Sequence, residues 1–325
     1  MKTITALAAI AALSASTLAT AAEHWNLPTA YPDGNFHTEN VRWFADEVRK
    51  ATNGELVIDV HSGASMFKMG EMKRALRTGQ VPIAEFFLSA YGNEDPIYDA
   101  DSVPFLAVGQ EQAKRLYEVQ KPYLDKRFQK EGLMPLYSVV WPGQGMYTKN
   151  PLSTIADFKG VKFRGQTPIV ARLGELMGAV PVNVQFVEVP QAFQTGVISA
   201  MMTAGTTGVD TQAWEYTQYF YDLSAFHPRN VVAVNARAWK KLPEATRKAV
   251  LEVAKRAEVR GWERAAALQS EARKTLTGKG MKVVDPSPEL MTQFNAIGDK
   301  MIAEWVERAG ADGKAIAQQM GKTVK

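Results

Sequence analysis

The stretch from Val161 to Thr203, VKFRGQTPIVARLGELMGAVPVNVQFVEVPQAFQTGVISAMMT, restricts the possible folds of this 325-residue chain more than any other. Its signals run strand, turn, helix, strand, helix, strand, the pattern of an α/β domain. Val161 and Phe163 fall on one side of a short strand, and Arg164 sits where that strand gives way to a turn at Gly165 and Gln166. Thr167 suits the cap of the next helix, Pro168 its first position and Gly178 its left-handed exit. Between them Ile169, Leu173, Leu176 and Met177 recur at helical spacing, which predicts one buried face. Val180 to Val184 is a β-rich run, Pro190 opens a second helix carrying Phe193 and Val197 four apart, and Val197 to Met202 leads into another apolar strand. An arginine at a strand end beside a helix start can hold an anion, because its planar fork pairs with a carboxylate through two hydrogen bonds. Most arginines are exposed, so a surface or structural role for Arg164 is the alternative that the local pattern leaves open.

The first residues read as a targeting segment. Lys2 precedes an uncharged Ala/Leu/Ile-rich run from Ile4 to about Leu18, and Ala19-Thr20-Ala21 has the small residues a signal peptidase accepts. The run is too short and too weakly apolar for a permanent membrane span. Residues 1–22 are therefore expected to be a signal peptide, with export to the periplasm and a mature chain starting at Ala22 or Glu23. Without Lys2 the balance is 37 basic against 34 acidic residues, a net of +3. That excess is mild and contains no Lys/Arg block, so nucleic acid is not an expected partner. The absence of cysteine excludes disulfides, Cys metal ligands and thiol nucleophiles.

From Glu23 onwards the pattern alternates strands with helices. A strand around His24 to Leu27, a helix with Val41, Phe44, Ala45 and Val48 on its buried stripe, and a strand at Leu56, Ile58 and Val60 form a parallel strand-helix-strand unit. The intervening loop, Tyr31 to His37, ends at a helix N-terminus, which attracts anions. An ordinary capping loop with Tyr31 and Phe36 folded inward fits equally well. Met69, Met72 and Leu76 mark a further helix, and Val81 to Ser89 is an apolar strand carrying Glu85. Helical turns follow from Ala113 to Phe128, with an interruption expected at Pro122.

Leu136 to Val140 forms a strand leading into Trp141 to Tyr147, where the chain is expected to cross to a second domain; Asn230 to Asn235 brings it back. Two lobes then flank a cleft, a common place for small ligands. The boundaries read as residues 23–140 plus about 231–250 for the first lobe and 141–230 for the second. Residues 243–325 form C-terminal helices packing on both, with a frayed tail from Lys314. Trp214, Tyr216, Tyr219 and Tyr221 read as packing rather than ligand contacts.

No catalytic or cofactor motif appears. The four histidines are far apart and in no metal-ligand spacing, and neither a nucleophile elbow nor a phosphate-binding glycine loop is present. The reading is a binding protein without cofactor or metal, with an exported two-lobed hydrolase as the enzyme alternative.

The order KFRG-x-TP, an apolar helix, then GAVPVNVQFVEVPQAFQTGVISA resembles the signature of the solute-binding proteins of tripartite ATP-independent periplasmic (TRAP) transporters, the DctP family. The family pattern K-[IL]-R-x-P places its arginine on Arg164, G-A-x-P-x-P-[MV]-x-F-x-E places its aromatic on Phe186 and its glutamate on Glu188, and A-L-Q-[TS]-G falls on Ala192 to Gly196. The resemblance extends over essentially the whole chain beyond the signal segment. Two departures stand out: Ser199-Ala200 replaces the family's Asp-Gly, and Met201-Met202-Thr203-Ala204 replaces Gln-Glu-Asn-Pro. A receptor for an ATP-driven importer has the same two-lobe design and is the rival reading.

The resemblance implies a type II-like, hinge-connected two-lobed binding fold with one long C-terminal helix beneath both lobes. It also implies a monomer that hands its ligand to small and large membrane subunits, and Arg164 as the carboxylate anchor. In the family's sialic-acid branch a second arginine lies about twenty residues earlier; the matching residue here is Gln144, which cannot neutralise a second negative charge. The asparagine of Gln-Glu-Asn-Pro corresponds to Thr203. A small monocarboxylate is therefore expected, a 2-hydroxy or 2-keto acid first, unless His37 or an unrecognised arginine supplies a second charge. Candidate walls are Tyr31, Phe36, Trp141 and Phe186, with Glu85 a further candidate from the first lobe.

Overall fold

The computed structural model describes residues 22–323, so the expected signal segment falls outside the described residues except for Ala22. β1 (Glu23–Pro28) and β2 (Leu56–His61) pair in parallel around α1 (Phe36–Ala51), the strand-helix-strand unit read from the alternation of apolar residues. α2 (Met72–Thr78) leads to β3 (Ile83–Phe87), whose five residues are all buried. α3 (Gly109–Lys130) then precedes β4 (Leu133–Val140). α3 runs unbroken through Pro122, against the expected interruption. Leu116, Gln120, Leu124 and Phe128 all bury on its inner side, and that packing outweighs the local penalty of about 3 kcal/mol for a proline inside a helix.

After β4 the chain passes into a second, six-stranded sheet. Its elements are β5 (Gln144–Thr148), β6 (Lys162–Arg164), α4 (Pro168–Leu176), β7 (Val180–Val182), α5 (Val189–Gln194), β8 (Ala200–Ala204), α6 (Gly205–Asp210) and β9 (Tyr219–Tyr221). The strand order is β11-β9-β5-β8-β6-β7, where β11 (Lys282–Val284) arrives from the C-terminal region, with β5 antiparallel to β8 and β9. Thr167 caps α4 through its side chain and Pro168 follows at the first position, as the sequence predicts. Val197, expected on a helix with Phe193, instead lies beyond the end of α5 and is exposed. α5 has only the six residues Val189–Gln194, so Val197 falls in the link to β8 and not on its apolar face.

β10 (Arg229–Asn235) returns to the first lobe and inserts between β3 and β4, antiparallel to both. The result is a two-lobed α/β fold. α7 (Ala236–Lys241) leads into α8 (Glu244–Gly278), whose 35 residues span about 50 Å. One end of α8 packs on α1 and β4, the other on α6 and β11. Gly261 permits the first contact: a Cβ there would lie 2.4 Å from the Val139 side chain. The C-terminal region is not purely helical, because β11 (Lys282–Val284) adds a parallel edge strand beside β9. α9 (Pro288–Gln319) runs on past Lys314, against the expected frayed tail, after a bend at Gly310 (φ 61). Ile316 and Ala317 are fully buried, so the segment from Lys314 to Gln319 is packed helix, not a frayed tail. Among the described residues no helix is long and apolar enough to cross a membrane.

Candidate ligand-binding site

Arg164 is the last residue of β6, flanked in the sheet by Met201 of β8 and Val182 of β7. A central strand between two neighbours buries whatever it carries, and Arg164 is only 3% exposed. Its Nε donates to the Val184 carbonyl at 2.9 Å. No carboxylate lies within 4.0 Å of the guanidinium among the described residues. Burial lowers its pKa to about 10, opposed by the weaker influence of Tyr31, Tyr216 and Glu188, so the group stays cationic at neutral pH. A buried cation without a partner is costly.

Arg164 lines a small cavity of about 30 Å³ together with Tyr31, Met69, Phe87, Trp141, Gln144, Gln166, Phe186, Thr203, Thr207 and Pro228. It is the only charged side chain among these residues. Both lobes contribute: Tyr31, Met69 and Phe87 come from the first, while Gln144, Arg164, Gln166, Phe186, Thr203 and Thr207 come from the second. Met69 and Gln166 also line a larger open cavity of about 350 Å³, bordered by Ala90 and Asn93 on one side and Thr167 and Asn183 on the other. They therefore stand between the buried space and the open cleft.

The aromatic wall is held from behind. Tyr31 meets Phe186 edge-on across the cleft, with centroids 5.3 Å apart, and Trp141 edge-on at 5.1 Å. Asn230, on β10, accepts from both the Tyr31 hydroxyl at 3.2 Å and Trp141 Nε1 at 3.0 Å, so one side chain sets the height of two rings. Gln144 opens β5, where its backbone exchanges hydrogen bonds with Phe226 and Ala225, and its Nε2 donates to the Pro142 carbonyl at 2.9 Å. Thr203 lies on the adjacent β8, opposite Gly145.

Of the expected site residues, Arg164, Gln144, Phe186, Thr203, Tyr31 and Trp141 are brought together around the cavity. Phe36 and Glu85 are not among its lining residues. Phe36 packs edge-on behind Trp141 at 5.2 Å. Glu85 is buried deeper, accepting from the Thr29 hydroxyl and lying 3.4 Å from His37 Nδ1. Burial pushes the His37 imidazole towards its neutral form, against the pull of Glu85, and the ring is covered by Phe36 and Trp141. The loop before α1 thus folds its aromatics inward, and the Asn35 side chain caps the helix by accepting from His37 N at 3.0 Å. The Asn35 amide also donates to Asp210 Oδ2 of the second lobe at 2.7 Å, a contact between the lobes outside the cavity.

Sequence reading missed Met69, Phe87, Gln166, Thr207 and Pro228 as wall residues. Gln166 had a usable signal, since it follows Arg164 by two in a turn. Met69 and Phe87 come from the first lobe, and Thr207 and Pro228 follow the motif segment in the chain, so none of them is marked by the motif.

Trp214 and Tyr216 belong to the packing of the second lobe, with Tyr216 stacked on Phe193 at 4.5 Å.

Comparison with known proteins agrees with this geometry. The chain is similar over 93% of its length to the extracytoplasmic solute receptor DctP7 of Bordetella pertussis, solved as a receptor binding pyroglutamic acid, with 44% identity, all of that chain covered and a TM-score of 0.91. It is similar to a marine metagenome TRAP solute-binding protein specific for pyroglutamate, with 37% identity, 93% and 99% of the two chains covered and a TM-score of 0.90. A more distant relative is the monocarboxylate 2-oxoacid-binding periplasmic protein of a Nostoc species, 24% identical over 86% of this chain and 78% of that one. These relatives are solute-binding receptors, not enzymes. The model of bacterial extracellular solute-binding protein family 7, DctP, matches residues 29–309, and with the buried arginine of β6 set between two lobes in this fold, the chain belongs to that family of TRAP solute receptors.

Proposed function

We propose that this protein is a periplasmic receptor that closes its lobes around one small monocarboxylate, pyroglutamate in particular, and delivers it as a monomer to the membrane subunits of a TRAP transporter. In this reading the hinged lobes are residues 23–140 plus about 231–250 and residues 141–230. The observation that carries it is the charge of the cavity. Arg164 is buried without a counterion among the described residues, and every other lining side chain is uncharged. A carboxylate completes the arginine's hydrogen bonding and offsets its desolvation. A second carboxylate would be buried with no cation to meet it, because Gln144 is neutral and His37 is covered and driven towards neutrality. The aromatic wall of Tyr31, Trp141 and Phe186 suits the apolar face of a compact ring.

Pyroglutamate is the ligand of the Bordetella pertussis receptor and of the marine metagenome receptor, each of which shares more than a third of its residues with this chain. A 2-keto or 2-hydroxy acid is the second reading, favoured by the Nostoc relative. Thermal-shift titration of protein freed of ligand by unfolding and refolding separates them. Pyroglutamate should raise the melting temperature most, lactate and pyruvate less, and succinate and malate hardly at all. A strong response to the diacids with none to pyroglutamate would overturn the monocarboxylate reading.

A further inference from the structure

Gln166 carries a feature that the arginine anchor does not explain. Its Oε1 is buried and has no hydrogen-bond donor among the described residues, although the residue lines the same cavity as Arg164. The amide orientation follows from its other end: Nε2 points to the Met202 carbonyl at 3.4 Å, and exchanging the two atoms would set oxygen against oxygen. The backbone around it is held in place. Gly165 N donates to the Val182 carbonyl at 2.9 Å, and a Cβ on Gly165 would lie 3.0 Å from Ala171 Cα, so the turn after β6 that carries Gln166 is tightly packed. A buried acceptor left unpaired costs about 1–3 kcal/mol.

We propose that Gln166 Oε1 accepts a hydrogen bond from an uncharged N–H of the bound acid, which makes Gln166 the specificity residue for lactam acids over keto acids and amino acids. The inference rests on the reading of the cavity as a monocarboxylate site. Arg164 and Gln166 are two residues apart, one offering donors and the other an acceptor, and a lactam acid presents the complementary pair on adjacent atoms: a carboxylate, and an N–H on the carbon that bears it. A 2-keto acid has no hydrogen to donate and leaves Oε1 unpaired. A free amino acid does donate, but its ammonium group would be buried close to the Arg164 cation in a cavity that no carboxylate of the described residues lines.

The test is calorimetric titration of ligand-free protein with pyroglutamate and with the lactone of 2-hydroxyglutarate, in which a ring oxygen replaces the N–H. Wild-type protein should bind the lactam about 5- to 150-fold more tightly than the lactone. Gln166→Met, close in shape but without the acceptor, should lose most of its lactam affinity, keep lactone binding within a few-fold and bring the ratio near one. Equal binding of lactam and lactone by wild-type protein, or an unchanged ratio in Gln166→Met, would overturn the role of Gln166 while leaving the monocarboxylate site standing. If wild-type protein binds neither compound, or if Arg164→Ala binds both as well as wild type does, the site reading itself fails and the role of Gln166 falls with it. The wild-type ratio needs no variant, so poor folding of Gln166→Met does not blunt the test.

Discussion

Two arginines are buried in this protein, and their surroundings differ. Arg229, at the start of β10 in the first lobe, is 1% exposed, and its Nε lies 3.2 Å from Asp101 Oδ2. Its backbone N–H donates to the same oxygen, Gln120 accepts from its fork, and the guanidinium sits 4.8 Å over the Tyr117 ring. Arg164, at the end of β6 in the second lobe, is almost as buried but has the Val184 carbonyl as its one hydrogen-bond partner among the described residues. The first arginine finds its counterion in its own chain and serves the fold, although its Nη1 has no hydrogen-bond partner among the described residues. The second is left for another molecule to complete, and that incompleteness is what a receptor site for an anion requires.

The sharpest way to break this comparison is to truncate each arginine. Arg229→Ala leaves Asp101 buried and unpaired, so unfolding free energy should fall by about 3–5 kcal/mol, while the folded fraction keeps its ligand affinity. Arg164→Ala should do the reverse. Affinity should fall by about two to four orders of magnitude, and the ligand-free melting temperature should hold or rise, because an uncompensated charge is gone. Calorimetry and urea unfolding on both variants read the two effects; a destabilised Arg164→Ala that still binds would erase the distinction.

A smaller effect is expected from Arg164→Lys. The charge remains, but the flat two-pronged geometry does not, and loss of one charge-assisted hydrogen bond corresponds to about 10- to 150-fold in affinity. Wild-type affinity in this variant would reduce the anchor to a simple point charge.

pH separates the two regions in another way. Burial raises the Asp101 pKa to about 6 despite Arg229, and that of its neighbour Asp99 to about 7, from an ordinary 3.8. Between 3.8 and those values the native state holds protons that the unfolded chain has released, so stability conferred by these two carboxyls should rise as pH falls from 7.5 to 5.5, by about 3 kcal/mol at most. Arg164 titrates near 10, and a carboxylic acid ligand stays ionised above pH 5, so affinity should be flat over the same range. Because the lowered pKa values of His37 and His227 act in the opposite sense on the whole molecule, the check is the difference in urea midpoint between wild-type protein and Asp99→Asn, measured beside dissociation constants; a difference that does not shrink on acidification across this window contradicts the assignment.

The smallest change is expected at the contact between lobes. Asp210→Ala removes the acceptor of the Asn35 amide but leaves Asn35 capping α1. If that bond forms on closure, as the proposed function has it, its loss corresponds to about 2- to 10-fold in affinity, with little change in ligand-free stability. An affinity unchanged in Asp210→Ala would mean that the bond contributes nothing to closure.

Much of this was legible in the sequence because local chemistry speaks directly. The alternation at Leu56, Ile58 and Val60, the Thr167 cap and the apolar spacing in α4 each fix an element without reference to the rest of the chain. Motif spacing carried Arg164, Gln144, Phe186 and Thr203 to one cavity, since Arg164, Gln144 and Thr203 lie on neighbouring strands of one sheet and Phe186 stands in a short helical turn after β7. Where packing competes with local preference, the sequence misled: Pro122 sits inside α3, and the C-terminal tail is a packed helix.

What the sequence determined by itself was the α/β alternation, the position of a candidate anion-binding arginine and the lack of a second cation in the equivalent of the family's second arginine position. Only the tertiary structure decided that Arg164 is buried without a counterion while Arg229 is buried with one. It also decided that Glu85 and Phe36 stand behind the wall and not in it, and that Gln166 turns an unpaired oxygen towards the interior. The reason is physical. Helix and strand formation respond to neighbours within a few residues, whereas pairing and burial depend on which distant groups arrive at the same place, and Asp101 reaches Arg229 from 128 residues away.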